Sequence, residues 1–153
     1  MDATVYRQLV GSLMYLVNTR PDICYSVNQL SQVMVKPNKL FWNAGKHVLR
    51  YLRGTSEYGL WYKKTDDVNL HDFTDADWAA SLMEKKRTSG GVFSIGSTTI
   101  SWYNRKQIFV ALNSAEAKYM AASQAACEAI WMRKILVSLF GSHLDPTVIH
   151  CDN

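Results

Sequence analysis

The chain has 153 residues, 48% of them apolar and 20% charged, with five Trp and eight Tyr, a balance that allows one ordinary domain or a small domain with a helical appendage. The net charge of +4 is uneven: residues 1–64 hold nine Lys/Arg against three acids, and residues 65–153 hold eight against ten. Disorder is excluded by the apolar content, and a disulfide scaffold or zinc site by three cysteines without ligand spacing.

The first helix reads from Tyr6, Leu9, Val10, Leu13, Met14 and Val17, which recur at helical spacing. Pro21 interrupts, because the residue before a proline avoids the helical region, and it then suits the first turn of a second helix with Asp22 near the positive end. Ile23, Val27, Leu30 and Met34 continue that second helix. A third runs from about Leu40 to Leu52 with Phe41, Ala44, Val48 and Leu52 inward, closed by Gly54.

From Tyr58 the period changes. YGLWYK, VNLHDFTD, GGVFSI, TTISWY and IFVAL are short and rich in β-branched and aromatic residues, as strands are. Gly96-Ser97 fits a two-residue hairpin turn with glycine first. A long helix follows from Ser114 to Phe140, with Met120, Cys127, Ile130, Trp131 and Ile135 expected on its buried side and Gly141 ending it. The last segment, TVIHC, reads as a strand that returns across the helix to lie parallel to an earlier one in a mixed sheet. The expected class is therefore α/β (α+β with a mixed sheet), with residues 1–64 a basic helical tether and 65–153 the sheet domain.

Three acids sit where such a sheet can gather them: Asp75 at the end of VNLHDFTD, Glu116 in the first turn of the long helix, and Asp152 just past TVIHC. Hard divalent cations take oxygen ligands, and carboxylates stay ionised at neutral pH. Two such ions about 4 Å apart clamp the attacking and leaving oxygens of a phosphodiester. Each acid also has a plain structural role: Asp75 as a strand-end residue beside Asp77, Glu116 as the third residue of a capping box begun by Asn113, and Asp152 as a loop start. In the tether, Lys39, Lys46, Arg50 and Arg53 are separated by seven, four and three residues, which puts them on one helical face able to follow a phosphate backbone. An ordinary solvated face is the alternative.

The stretches YRQLVGSLMYLVNTRPDICYSV, HVLRYLRGTSEYGLWY, FTDADWA, RTSGGVFSIGSTTISWYNRKQ, VALNSAEAKYMAASQAACEAIWMRK and TVIHCDN resemble the C-terminal part of copia-type Pol polyproteins. That resemblance implies a connection from reverse transcriptase followed by an RNase H-like fold that is incomplete at the C-terminus. It implies Mg2+ (with Mn2+ as a substitute), an RNA–DNA hybrid as substrate, and Asp75, Glu116 and Asp152 as catalytic metal ligands. Asn113 and Lys118 stand where copia relatives usually carry Ser and Glu, and the family's fourth metal-site motif has no counterpart before Asn153, so impaired catalysis is expected. The location implied is intracellular, in cytoplasm or nucleus.

A second resemblance points elsewhere. Arg50-Tyr51-Leu52-Arg53 reads R-x-L-R, which is similar to the translocation tetrapeptide of oomycete effectors secreted into plant cells. It implies a non-enzymatic effector that acts on host plant proteins, reaching the host nucleus. MDATVYRQLV lacks the basic start and apolar run of a secretory leader, and no segment approaches the ~20 apolar residues of a membrane span.

Overall fold

The protein is described here by a computed structural model that covers residues 2–64, 69–77, 88–107, 110–141 and 145–151. It divides into two compact units, Met1–Leu60 and Trp61–Asn153. Among the described residues no helix is long and apolar enough to cross a membrane.

The first unit holds α1 (Ala3–Leu16), a 3₁₀ turn (Pro21–Ile23), α2 (Cys24–Ser31) and α3 (Lys39–Gly54). Asp2 caps α1 by accepting from the Thr4 N–H at 2.8 Å, and Asn38 caps α3 by accepting from Phe41 N–H at 3.0 Å. Tyr6, Val10 and Leu13 of α1 meet Ile23, Val27 and Leu30 in a closed core. Tyr6 is fully buried and its hydroxyl donates to the Leu30 carbonyl at 2.9 Å, so a large ring enters the core without an unpaired polar group. Phe41, Ala44, Val48 and Leu52 pack against that core as expected. Two expectations shift. The α2 helix stops at Ser31, and Met34 packs on the core from the turn beyond it. Gly54 is the last helical residue without a left-handed backbone; Thr55 closes the helix instead, its N–H reaching Leu52 O at 3.2 Å and its hydroxyl donating to Tyr51 O at 2.9 Å.

The second unit holds β1 (Leu70–Asp77), β2 (Thr88–Ile95), β3 (Thr98–Lys106), α4 (Ser114–Phe140) and β4 (Val148–Cys151). The four strands form one mixed sheet in the order β3-β2-β1-β4. β1 runs antiparallel to β2 and parallel to β4, so TVIHC does return across a helix to an earlier strand. Ile95 pairs with Thr98 across the Gly96-Ser97 turn, where Gly96 supplies φ 55°. Gly141 ends α4 with φ 64°, its N–H bonding Val137 O at 2.8 Å.

Three sequence readings in this unit are corrected. YGLWYK is not a strand: the described residues 58–64 join no ladder, and without a neighbour the backbone of a single extended segment has no hydrogen bonds to gain. Of IFVAL, Ile108 and Phe109 lie outside the described residues, and Val110–Leu112 is irregular. The buried side of α4 is not Met120, Cys127, Ile130, Trp131 and Ile135. It is Ala117, Ala121, Ala125, Ala129, Met132 and Leu136, while Cys127, Ile130, Trp131 and Ile135 are exposed and Met120 is half-buried. Alanines every fourth residue let the helix lie close on the sheet, and the larger side chains of the other faces are turned away.

The sheet–helix core gathers Leu70, Phe93, Tyr103, Ala129, Met132 and Leu136. Tyr103 lies over its cross-strand partner Gly91, and a Cβ at position 91 would stand 2.5 Å from the tyrosine ring. Gly91→Ala is therefore expected to cost about 1–3 kcal/mol by overpacking, read as a lower urea midpoint at unchanged slope. In a Tyr103→Leu background the same change costs less, and an equal cost in both backgrounds refutes the ring clash as the cause.

Candidate functional site

Alternation along β1 divides its side chains between two faces. Leu70, Asp72 and Thr74 are buried toward α4; Phe73 and Asp75 are exposed on the opposite face, where His71, earlier in the strand, is half-buried. Position 75 lies at Gly90 in the β1–β2 register, near the C-terminal end of β1. On the same face, Phe73 stacks on His150 of β4 with centroids 4.6 Å apart, and His71 stacks on His150 at 6.3 Å. The β1–β4 register pairs Phe73 with His150 and Thr74 with Cys151. Asp75 follows Thr74 in the chain as Asp152 follows Cys151. Asp152 itself lies outside the described residues.

Glu116 takes up its capping role. Asn113 Oδ1 accepts from the Glu116 N–H at 2.8 Å, and Glu116 Oε2 accepts from the Leu112 N–H. The turn that carries it is tied to the sheet by Gln107, a buried side chain whose Nε2 donates to Ser89 Oγ and to the Ala117 carbonyl, both at 2.9 Å. Ser89 is the register partner of Ala76, the neighbour of Asp75. The Gln107 clamp thus brings the Glu116 turn to the end of the sheet where Asp75 lies. Among the described residues no three His, Cys, Asp or Glu stand together as a metal site. Asp75 and Glu116 lie toward one end of the sheet but on different sides of it, Asp75 on the face away from α4 and Glu116 on α4 itself; the third carboxylate is outside what is described. Their chemistry suits a hard cation, since both are oxygen donors and Asp75 is exposed.

Two polar residues of this region escaped the sequence reading. Gln107 gave no signal, because a lone glutamine has no periodicity. Asp72 did leave one, the weak alternation of VNLHDFTD. Its carboxylate is fully buried, and neither oxygen makes a hydrogen bond among the described residues. Burial pushes its pKa up from 3.8 to about 6. Among the described residues the Tyr103 hydroxyl, also buried, finds no partner either, and burial raises its pKa as well.

In the helical unit, Lys39, Lys46, Arg50 and Arg53 all lie exposed on the single helix α3. Lys46 Nζ sits 5.5 Å from the Trp42 ring centroid, and Trp42 packs on the helical core. The Arg50–Arg53 tetrapeptide lies wholly inside this helix. Leu52 packs on the core, and Tyr51 donates its hydroxyl to Asp22 Oδ2 at 2.8 Å. Asp22 is also held by Arg20 at 2.7 Å, and these donors keep its carboxyl below the usual range.

The chain is 43% identical over 152 residues to the "Retrovirus-related Pol polyprotein from transposon RE2" of Arabidopsis thaliana, covering 99% of this chain and 10% of that one. It is 40% identical over 149 residues to the "Retrovirus-related Pol polyprotein from transposon TNT 1-94" of Nicotiana tabacum, covering 97% and 11%. The chain belongs to the Ty1/copia-type Pol polyproteins. It spans about a tenth of the length of these family members. It is also 43% identical over 128 residues to "Secreted RxLR effector protein 161" of Plasmopara viticola, covering 83% of this chain and 90% of that one. No family model matches the chain, and no solved structure does.

Asp72 ties this Pol segment's stability to pH. Unfolded, its carboxyl ionises near 3.8; folded, at about 6. The native state therefore binds more protons between those values, and stability is full below the lower one, falls as pH rises through the upper one, and is level beyond. Asp72→Asn removes that loss. The variant is expected to exceed the wild type by about 3 kcal/mol near pH 8 and to match it near pH 3.5, measured by urea unfolding across that range. An equal difference at every pH would show that Asp72 does not titrate in this way.

Proposed function

We propose that residues 65–153 are an RNase H-like domain that hydrolyses the RNA strand of an RNA–DNA hybrid, and that residues 1–64 bind nucleic acid. One observation carries the reading: the Gln107 clamp joins the Glu116 turn to the sheet end that bears Asp75, in a chain with 43% identity to a retrotransposon Pol polyprotein. The β3-β2-β1-β4 order, with β4 parallel to β1, supports the same fold class.

In this reading Asp75, Glu116 and Asp152 hold Mg2+, with Mn2+ able to replace it. The ion supplies charge for activating water and for stabilising the leaving 3′ oxygen. The protein's own part is to fix the carboxylates. Asp75 is set by its pairing with Gly90 in the β1–β2 ladder, one residue beyond the last β1–β4 pair, and Glu116 by its cap and by Gln107. Lys39, Lys46, Arg50 and Arg53 neutralise backbone phosphates without reading sequence. The proposed location is intracellular, in cytoplasm or nucleus, where such hybrids form.

A second reading rests on the match to 90% of the effector-named relative. Here the chain is a non-enzymatic secreted effector that meets host plant proteins after translocation, with Arg50–Arg53 as the address and the host nucleus as destination. The packing of half-buried Leu52 against the helical core argues against that tetrapeptide being read as a linear motif while the unit is folded.

The purified chain, given a labelled RNA–DNA hybrid and Mg2+, is expected to cleave the RNA strand. Asp75→Asn abolishes cleavage, whereas the Gln change at Lys46 and Arg50 keeps turnover at saturating hybrid but lowers the salt slope of binding by about 0.9 per residue. A folded wild-type chain that cleaves nothing with either metal, or cleavage that survives Asp75→Asn, refutes the nuclease reading.

A further inference from the structure

Four consecutive residues at the start of the second unit, Trp61, Tyr62, Lys63 and Lys64, are all exposed. Trp61 is 83% exposed and Tyr62 65%, although aromatic rings of this size gain about 2–3 kcal/mol each when removed from water. Among the described residues the segment joins no helix, strand or core cluster. No ion pair engages Lys63 or Lys64 among the described residues. Two large exposed π-faces followed at once by two exposed ammonium groups place stacking and electrostatic chemistry side by side in the chain.

We propose that Trp61–Lys64 is a binding site for single-stranded nucleic acid, in which Trp61 and Tyr62 stack on unpaired bases and Lys63 and Lys64 pair with the adjoining phosphates. The pairing of chemistries selects this class. A duplex buries its base faces and offers only phosphates and groove edges to the lysines, leaving the rings without partners. An unpaired strand exposes a π-face at every base, and stacking on it is tolerant of sequence. An acidic peptide would satisfy the lysines alone. This inference rests on the nucleic-acid reading above only for the kind of polymer; it needs no catalysis and involves none of the carboxylates.

The test uses the full chain and a fluorescein-labelled oligo(dT) of about 15 nucleotides, followed by anisotropy, with a blunt duplex of the same length beside it. The wild type is expected to bind oligo(dT). The paired change Trp61→Ala with Tyr62→Ala weakens that binding by at least about tenfold and leaves the duplex affinity unchanged. The paired change Lys63→Gln with Lys64→Gln lowers the log–log salt slope for oligo(dT) by about 1.4, two single-strand phosphate contacts. Intrinsic fluorescence gives a second reading that survives any folding defect in those variants: oligo(dT) quenches wild-type emission, and Trp61→Phe removes most of that quenching. Equal binding by the double aromatic variant, or equal quenching in Trp61→Phe, overturns the proposal. So does capture by phosphatidylserine vesicles with no binding of oligo(dT), which assigns the same residues to a lipid surface. A chain that binds oligo(dT) through these residues yet cleaves no hybrid upholds this site and removes the RNase H reading. Cleavage without oligo(dT) binding does the reverse.

Discussion

The second unit depends on β1 being held from three sides. Its two edges are taken by β2 and β4, one antiparallel and one parallel, and its inner face by the alanine stripe of α4. A strand held in this way cannot slip by one residue, because a slip would exchange Leu70 and Thr74 for His71 and Phe73 in the core. That constraint sends Asp75 outward and stacks Phe73 on His150. It also places the first turn of α4 within reach of Gln107. Remove the parallel pairing and β4 has no neighbour; remove the small side chains of α4 and the helix cannot settle on the sheet.

Polar groups inside this core behave in two ways. Gln107 enters the interior with its amide nitrogen doubly bonded, to β2 and to α4, and so converts burial into orientation of the Glu116 turn. Asp72 enters with no such compensation. Its folded state accepts a raised pKa because the alternation of β1 leaves no other direction for that side chain. The two residues lie in one unit, and even in Gln107 only the amide nitrogen is matched: its buried Oε1 has no partner among the described residues.

The helical unit solves a related problem with charge. Arg20 is buried, yet its guanidinium reaches Asp22, the Thr55 carbonyl and the Thr55 hydroxyl, and Tyr51 completes the cluster through Asp22. This network ties the 3₁₀ turn to the end of α3 and leaves the opposite face of α3 for the exposed cations. The tetrapeptide at positions 50–53 is shared between these tasks: Tyr51 bonds inward, Leu52 packs, and Arg50 and Arg53 face solvent.

Much of this was legible in the linear chain. Helix α1 and the helical stripe of α3 follow from spacing alone, as do the Gly96 and Gly141 turns, since periodicity, capping and positive φ are local properties. The Asn113–Glu116 cap was also readable, for the same reason. What only the tertiary structure decided was which face of α4 is buried. It also decided whether YGLWYK finds a strand partner and where Asp72 and Gln107 point. Hydrophobicity along α4 favours Ile130, Trp131 and Ile135, but close approach to a sheet favours alanine, and that contest is settled by the neighbour rather than by the helix. A strand, likewise, exists only when another strand supplies its hydrogen bonds, and no property of residues 58–64 by themselves could show that none would.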